Sequence, residues 1–282
     1  MTLKELKLRA NSIRKSIIQM LNRAGSGHSA GALGMADLFA TLYFDTAKIF
    51  PKNPTSKMRD FIFLSNGHTC PVLYATLAEA GFFPKHELDN LRKLGTKLQG
   101  HPHHGSVPGI ENSSGPLGQG LSQAVGVAAI LKREGKTNKV YCFVGDGEIE
   151  EGQCWEAFMF AAKEKLNNLV VIVDRNHIQI DGRTDKIMHL EPLHKKLSSF
   201  NFAVIDFNGN DIRQIKTAFK HADKLKTKPV CLIAKTTAGK GVSFMEGKFE
   251  WHGKAPDDKQ TEIALKELDE EEKIIKKSGG RK

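Results

Sequence analysis

Gly145-Asp146-Gly147 directly follows the apolar run Val140-Tyr141-Cys142-Phe143-Val144. A second apolar run, Leu169-Val170-Val171-Ile172-Val173, leads into Asp174-Arg175-Asn176-His177-Ile178. A carboxylate at the end of a strand, flanked by glycines that let the backbone approach closely, is placed to hold a metal. If the two runs are neighbouring parallel strands, Asp146 and Asn176 bring a carboxylate oxygen and an amide oxygen to one point. Such sparse protein ligation suits magnesium, which keeps coordination positions for phosphate oxygens and water. Gly-Asp-Gly and Asn are also ordinary turn residues, and it is the pairing of the two strand ends that favours the metal.

Histidine context is the second chemical signal. Among the 11 histidines, Gly27-His28, Gly67-His68, Gly100-His101 and His252-Gly253 each adjoin a glycine in a loop. A single loop histidine is commonly a solvated surface residue. Four in one kind of setting suggest a shared cavity where imidazoles bind phosphate and exchange protons near neutral pH. His101-Pro102-His103-His104 also has the look of a metal cluster, but no carboxylate or cysteine is spaced to complete it. His103 and His104 read as loop residues. Lys235-Thr236-Thr237-Ala238-Gly239-Lys240-Gly241 departs from a phosphate-binding P-loop, because Ala234 stands where the first glycine is required and Lys240 precedes Gly, not Ser or Thr. A glycine-rich turn that could line the same cleft is the better description.

The elements that must position these residues read as a regular alternation. Leu6, Ile13, Ile17 and Leu21 recur at helical intervals within Leu3–Ala24, which Gly25-Ser26-Gly27 ends. Further helices are expected at 34–46, 72–80, 121–134, 155–165 and 212–224. Strands are expected at 61–64, 140–144, 169–173, 202–207 and 230–234. Continuous apolar strands separated by helices indicate an α/β fold: a mostly parallel sheet with helices on both faces. Residues 1–253 read as one domain. Residues 254–282 carry eight basic and eight acidic residues. This segment reads as a solvated face with a short docked helix (Ile263, Leu265, Leu268, Ile274, Ile275) and a frayed end from Ser278 to Lys282.

Composition bounds the rest. At 282 residues, 40% hydrophobic and 26% charged, the chain has the make-up of a soluble globular protein. It has no stretch near the roughly 20 apolar residues that span a bilayer. Its start, Met1 to Arg9, lacks a secretory apolar core, which points to the cytoplasm. Cys70, Cys142, Cys154 and Cys231 show neither disulfide-framework nor zinc spacing. The net charge of +10 admits nucleic acid as a partner. The lysines are dispersed, however, with no basic helix or aromatic platform, so attraction of phosphorylated substrates is the milder use of that field.

Taken together these stretches resemble the thiamine diphosphate enzymes, and among them transketolase. Gly145-Asp146-Gly147 with Asn176 is similar to the cofactor motif. Ser26-Gly27-His28, Leu33-Gly34-Met35-Ala36, Ser65-Asn66-Gly67-His68, Gly100-His101-Pro102, Gly115-Pro116-Leu117-Gly118-Gln119-Gly120 and Asn176 to Gly182 narrow the resemblance. The matches run from His28 to His252. The resemblance implies the diphosphate-domain fold. It also implies thiamine diphosphate and Mg2+ as cofactors, with Ca2+ or Mn2+ able to substitute. Asp146, Asn176 and the Ile178 carbonyl would bind the metal. His68, Gly147 and His252 would lie against the diphosphate or the substrate channel, with Gly115 and Leu117 at the aminopyrimidine side. His28 and His101, with His252, would serve the reacting sugar. Glu151 would be the acidic residue at the interface linking paired active sites. The implied reaction moves a two-carbon ketol unit from a ketose phosphate to an aldose phosphate, as in the pentose phosphate pathway.

Two local departures bear on substrate preference. Ser29-Ala30-Gly31-Ala32 replaces a proline-containing turn found in many members, and His103 stands where an acidic residue is usual. The larger departure is length: the pyrimidine-binding module, with the glutamate that activates the cofactor, and the third domain have no counterpart here. The resemblance therefore implies a second subunit carrying those domains, in a heterotetramer. A split enzyme for another two-carbon donor, a non-catalytic cofactor-binding scaffold and a fragment of a longer enzyme are the other readings. Deoxyxylulose-phosphate synthase fits the Gly-His loops less well.

Overall fold

The computed structural model describes residues 1–278. The frayed end expected from Ser278 onward falls, beyond that residue, outside the described residues. Helix α1, Leu3–Ala24, begins with a capping box: Thr2 accepts from the Glu5 amide, and the Glu5 carboxylate accepts from the Thr2 amide. Gly25, with φ of 64°, ends it. The single helix expected at 34–46 is instead α2, Ala30–Gly34, and α3, Ala36–Thr41, the latter running into a π-helical turn at Leu42–Thr46. The Thr237 carbonyl sits 2.9 Å from where a Cβ on Gly34 would be, so that loop packs directly on the helix backbone. Strand β1, Phe61–Leu64, is followed by α4, Cys70–Ala80, and α5, Gln119–Arg133. Then come β2, Val140–Gly145, α6, Gly152–Lys163, and β3, Leu169–Arg175. A small hairpin of β4, Ile178–Gln179, and β5, Gly182–Arg183, precedes short helices α7, Thr184–Ile187, and α8, Leu193–Ser199. Strand β6, Ala203–Asn208, helix α9, Ile212–Lys224, strand β7, Val230–Lys235, and helix α10, Asp258–Lys277, complete the described chain.

Five strands form one parallel sheet in the order β1-β2-β3-β7-β6. Their side chains alternate between two apolar layers. Ile62, Leu64, Tyr141, Phe143, Val170, Ile172, Val230 and Leu232 face the core built with α1, α3, α4, α9 and α10. Phe63, Val140, Cys142, Val144, Leu169, Val171, Val173, Cys231 and Ile233 face α5, α6 and α8. Burial on both faces is why these strands are apolar throughout, without alternation. Fully burying each large aliphatic side chain contributes about 1.5–3 kcal/mol before entropy is counted. Helix α10 packs along α1, with Ala264 and Leu268 in the first core. All four cysteines are free and buried. Among the described residues no helix is long and apolar enough to cross a membrane.

Candidate active site

Strands β2 and β3 pair directly, with Gly145 opposite Asp174, and the Asp146 amide donates to the Asp174 carbonyl at 3.2 Å. The residues after β1, β2 and β3 therefore meet at the carboxyl edge of the sheet, the place where open parallel sheets bind ligands. A cavity of about 260 Å³ opens there. It is lined by the ten residues to which the sequence assigned metal, cofactor or sugar roles: His28, His68, His101, Gly115, Leu117, Asp146, Gly147, Asn176, Ile178 and His252.

Asp146 is 1% exposed. One of its oxygens accepts from the Gly147 amide, the other from Arg175 at 2.8 Å and from the His177 amide at 2.7 Å. The Asn176 amide nitrogen donates to Asp174 at 2.7 Å, and its oxygen accepts from the Ile178 amide at 2.9 Å. Asp174 lies alongside, also accepting from the Thr236 hydroxyl. Burial pushes the Asp174 carboxyl up to about 7, the Asp146 charge adding to the effect and the Thr236 and Asn176 bonds opposing it. Burial likewise raises Asp146 despite Arg175. Two dry carboxylates adjoin, and the Arg175 guanidinium reaches Asp146 and Glu191 while Asp174 is held by Thr236 and Asn176, an arrangement a divalent cation would relieve. The available donors are hard oxygens. Among the described residues no three His, Cys, Asp or Glu side chains converge as a cage, so an ion here keeps positions for phosphate and water. The residues present fit a magnesium diphosphate.

In the same cavity the four imidazoles cluster. The His28 ring lies 5.1 Å from His68, 5.6 Å from His252 and 6.4 Å from His101, centroid to centroid. His68 and His252 are 5.0 Å apart. His28 Nδ1 and the Asn66 amide oxygen are buried without a partner, a state that a polar ligand in the cavity resolves. Burial, then the positive fields of His252, Arg92 and His101, lowers His28 to about 4. Burial lowers His68, His101 and His252 as well. The cluster is thus neutral at neutral pH, able to accept or relay protons. Because the folded value of His28 lies below the ordinary 6.5, the unfolded chain binds protons first as pH falls. The stability owed to neutral His28 is complete above 6.5 and lost toward about 4. A His28→Asn variant should therefore show a shallower fall in melting temperature across that window than the parent. Equal slopes would contradict a buried neutral imidazole.

The family model of the transketolase thiamine diphosphate binding domain matches residues 6–273. The chain belongs to this transketolase family. It is 39% identical to one of the subunits of the apulose-4-phosphate transketolase of Phocaeicola vulgatus, over the whole of both chains. It is 40% identical to the 6-deoxy-6-sulfo-D-fructose transketolase subunit SqwG of a Clostridium species, covering 95% of this chain and 97% of that one. Among solved structures, the transketolase of Campylobacter jejuni superposes with a TM-score of 0.86 at 31% identity, over 98% of this chain and 48% of that one. The chain thus spans about half the length of the solved transketolases it matches.

Within this transketolase domain, motif reasoning gave no role to Asn66, Glu148 and Gln179, which also line the cavity. Glu148 is 2% exposed, and its carboxylate accepts from the Ser65 hydroxyl, the Gly118 amide and the Gly145 amide. It thereby ties together the loops after β1 and β2 and the turn before α5. In sequence it sits in an acidic run, Glu148-Ile149-Glu150-Glu151, that looks solvated; only its neighbours in space reveal it. Glu148→Gln should cost about 1–3 kcal/mol in urea unfolding, since an amide group would oppose one of these donors. A change within about 0.5 kcal/mol would contradict the anchoring role. Glu151 is exposed. The turn at 235–241, expected to reach the cleft, does not line it. Instead the Gly239 amide donates to the Ala30 carbonyl at 2.7 Å and the Thr237 amide donates to the Asn210 side chain, so the turn braces α2 and Asp174 from behind. His103 and His104 bond Ser113 and Ile110, away from the cavity.

Proposed function

We propose that the chain is the diphosphate-binding subunit of a two-chain ketol transferase. The observation that carries this is the convergence of ten motif residues on one cavity at the carboxyl edge of the sheet. Asp146, Asn176 and the Ile178 carbonyl would hold Mg2+, which would grip the diphosphate of thiamine diphosphate. When bound, that cofactor supplies the nucleophilic carbon and the electron sink for the two-carbon unit. Gly147, where a Cβ would already stand 3.0 Å from the Gln179 amide oxygen, keeps this wall narrow. His68 and His252 would border the diphosphate and the channel, and Gly115 and Leu117 the aminopyrimidine side. His28 and His101 would donate to and take protons from the sugar oxygens, in a site dry enough to strengthen those bonds.

Full-length similarity to proteins named as transketolase subunits supports a second chain carrying the pyrimidine-binding and C-terminal domains. Glu151, exposed just beyond Glu148, would contact a neighbouring protomer in a heterotetramer. Residues 1–253 would carry the cofactor half-site, with 254–282 as a helical buttress, in a cytoplasmic enzyme. The donor would be a ketose phosphate of the pentose phosphate type. The sugars named for the two split-enzyme relatives support a wider donor class, including a sulfonated ketose. The test is ketol transfer to an aldose phosphate from a panel of ketose donors, with the second chain present. Transfer from at least one donor is expected, and cofactor binding without any transfer would favour the scaffold reading.

A further inference from the structure

Arg92 does not line the cavity described above, yet its backbone and side chain are both unusual. It holds φ of 62°, a left-handed conformation that costs an L-residue about 1–2 kcal/mol. Its amide donates to the Leu98 carbonyl, which closes the loop 92–98. The guanidinium then reaches out of that loop to two others. Nη1 donates to the Ser26 hydroxyl at 3.1 Å, two residues before His28. The remainder lies flat on Gly100, where an added Cβ would stand 2.8, 2.9 and 3.0 Å from Nε, Nη2 and Cζ. Gly100 immediately precedes His101. No other side chain can occupy position 100 with the guanidinium in place, and Gly27, with φ of 133° and its own Cβ position filled by Leu21, is equally confined.

We infer that Arg92 is a positioning residue, locking the loop that carries His28 to the loop that carries His101 so that the two imidazoles face the cavity at a fixed separation. The inference rests on the ketol-transfer reading for its functional consequence, but the bridge itself is a property of this chain. Strain in a non-glycine residue persists where surrounding contacts over-determine it, and here those contacts are the two histidine loops. A planar fork suits the task. One edge donates to a hydroxyl while the face covers a peptide, a geometry a lysine cannot copy. The charge acts in the same direction, since it opposes protonation of both His28 and His101. His28 also faces His68, His101 and His252, and His101 faces His28 and Gly115.

The test compares Arg92→Met, Arg92→Lys and Gly100→Ala with the parent full-length chain, by imidazole NMR titration without cofactor and by kinetics of the complex with its second chain. Arg92→Met should raise the titration midpoints of His28 and His101 more than that of His252, and lower kcat on the order of 10- to 100-fold with little change in KM. Arg92→Lys should restore the midpoints more than kcat. Gly100→Ala keeps the charge but displaces the guanidinium, so it should lower kcat while moving the midpoints less. Unchanged histidine signals in Arg92→Met would overturn the bridge. Altered signals with unchanged kcat would overturn the positioning role. If the parent complex performs no ketol transfer, the functional reading fails, while the titrations still decide whether Arg92 joins the two loops.

Discussion

Asp146→Ala is expected to abolish magnesium-dependent binding of thiamine diphosphate, lowering affinity at least about 100-fold, or roughly 2.7 kcal/mol. The direction follows from charge. Asp146 is a dry carboxylate lining the cavity, and among the proposed ligands it alone carries a full negative charge. Loss of residues that merely orient a metal ligand costs about 10–100-fold, so loss of the ligand itself should exceed that range. A structural effect competes with this one. Arg175 would keep only Glu191 as an ionic partner, and the His177 amide would lose its acceptor. Asp146→Asn separates the two effects, since it preserves the shape and one acceptor oxygen while removing the charge. Calorimetric titration with magnesium and with EDTA, beside thermal melting of each variant, reads both. Unchanged affinity in Asp146→Asn and Asp146→Ala would refute the metal role.

The purified chain alone should show no measurable ketol transfer, and addition of the second chain should restore it. The cavity presents oxygen donors and neutral imidazoles, but the residues proposed for the aminopyrimidine side are Gly115 and Leu117, with no carboxylate proposed to activate the ring from this chain. Each 1.36 kcal/mol of lost transition-state stabilisation is about tenfold in rate. Removing an activating acid and half the substrate channel together should leave activity below detection. Mixing at increasing ratios should give a rate that saturates at fixed stoichiometry. Full activity of the single chain would reject the two-chain reading.

Strands β1, β2, β3 and β7 were legible because both of their faces are buried, which writes each as an apolar run, whereas the edge strand β6 is only partly buried and is interrupted by Asp206. The sheet's carboxyl ends were less legible. Gly145, Asp174, Arg175 and Lys235 extend the ladders although they are not apolar, because their backbone groups still pair at the edge where the site lies. The break at Met35 was invisible, since no proline marks it and the Thr237 loop that packs on Gly34 lies far along the chain. Asp146, Asn176 and the four histidines were marked by strand-end position and neighbouring glycines, and Gly115, Leu117 and Ile178 by motif resemblance, whereas periodicity assigns no chemistry. Glu148 and Arg92 escaped both kinds of reading. Each acts through partners brought together only by folding: Ser65 and Gly118 for one, Ser26 and Gly100 for the other.

The most direct measurement is a crystal structure of the two-chain complex grown with thiamine diphosphate and Mg2+. The diphosphate is predicted to lie in the cavity between Asp146 and His68, with an ion about 2.0–2.1 Å from oxygens of Asp146, Asn176 and Ile178. A diphosphate bound elsewhere, or an ion held without Asp146 and Asn176, would contradict the account.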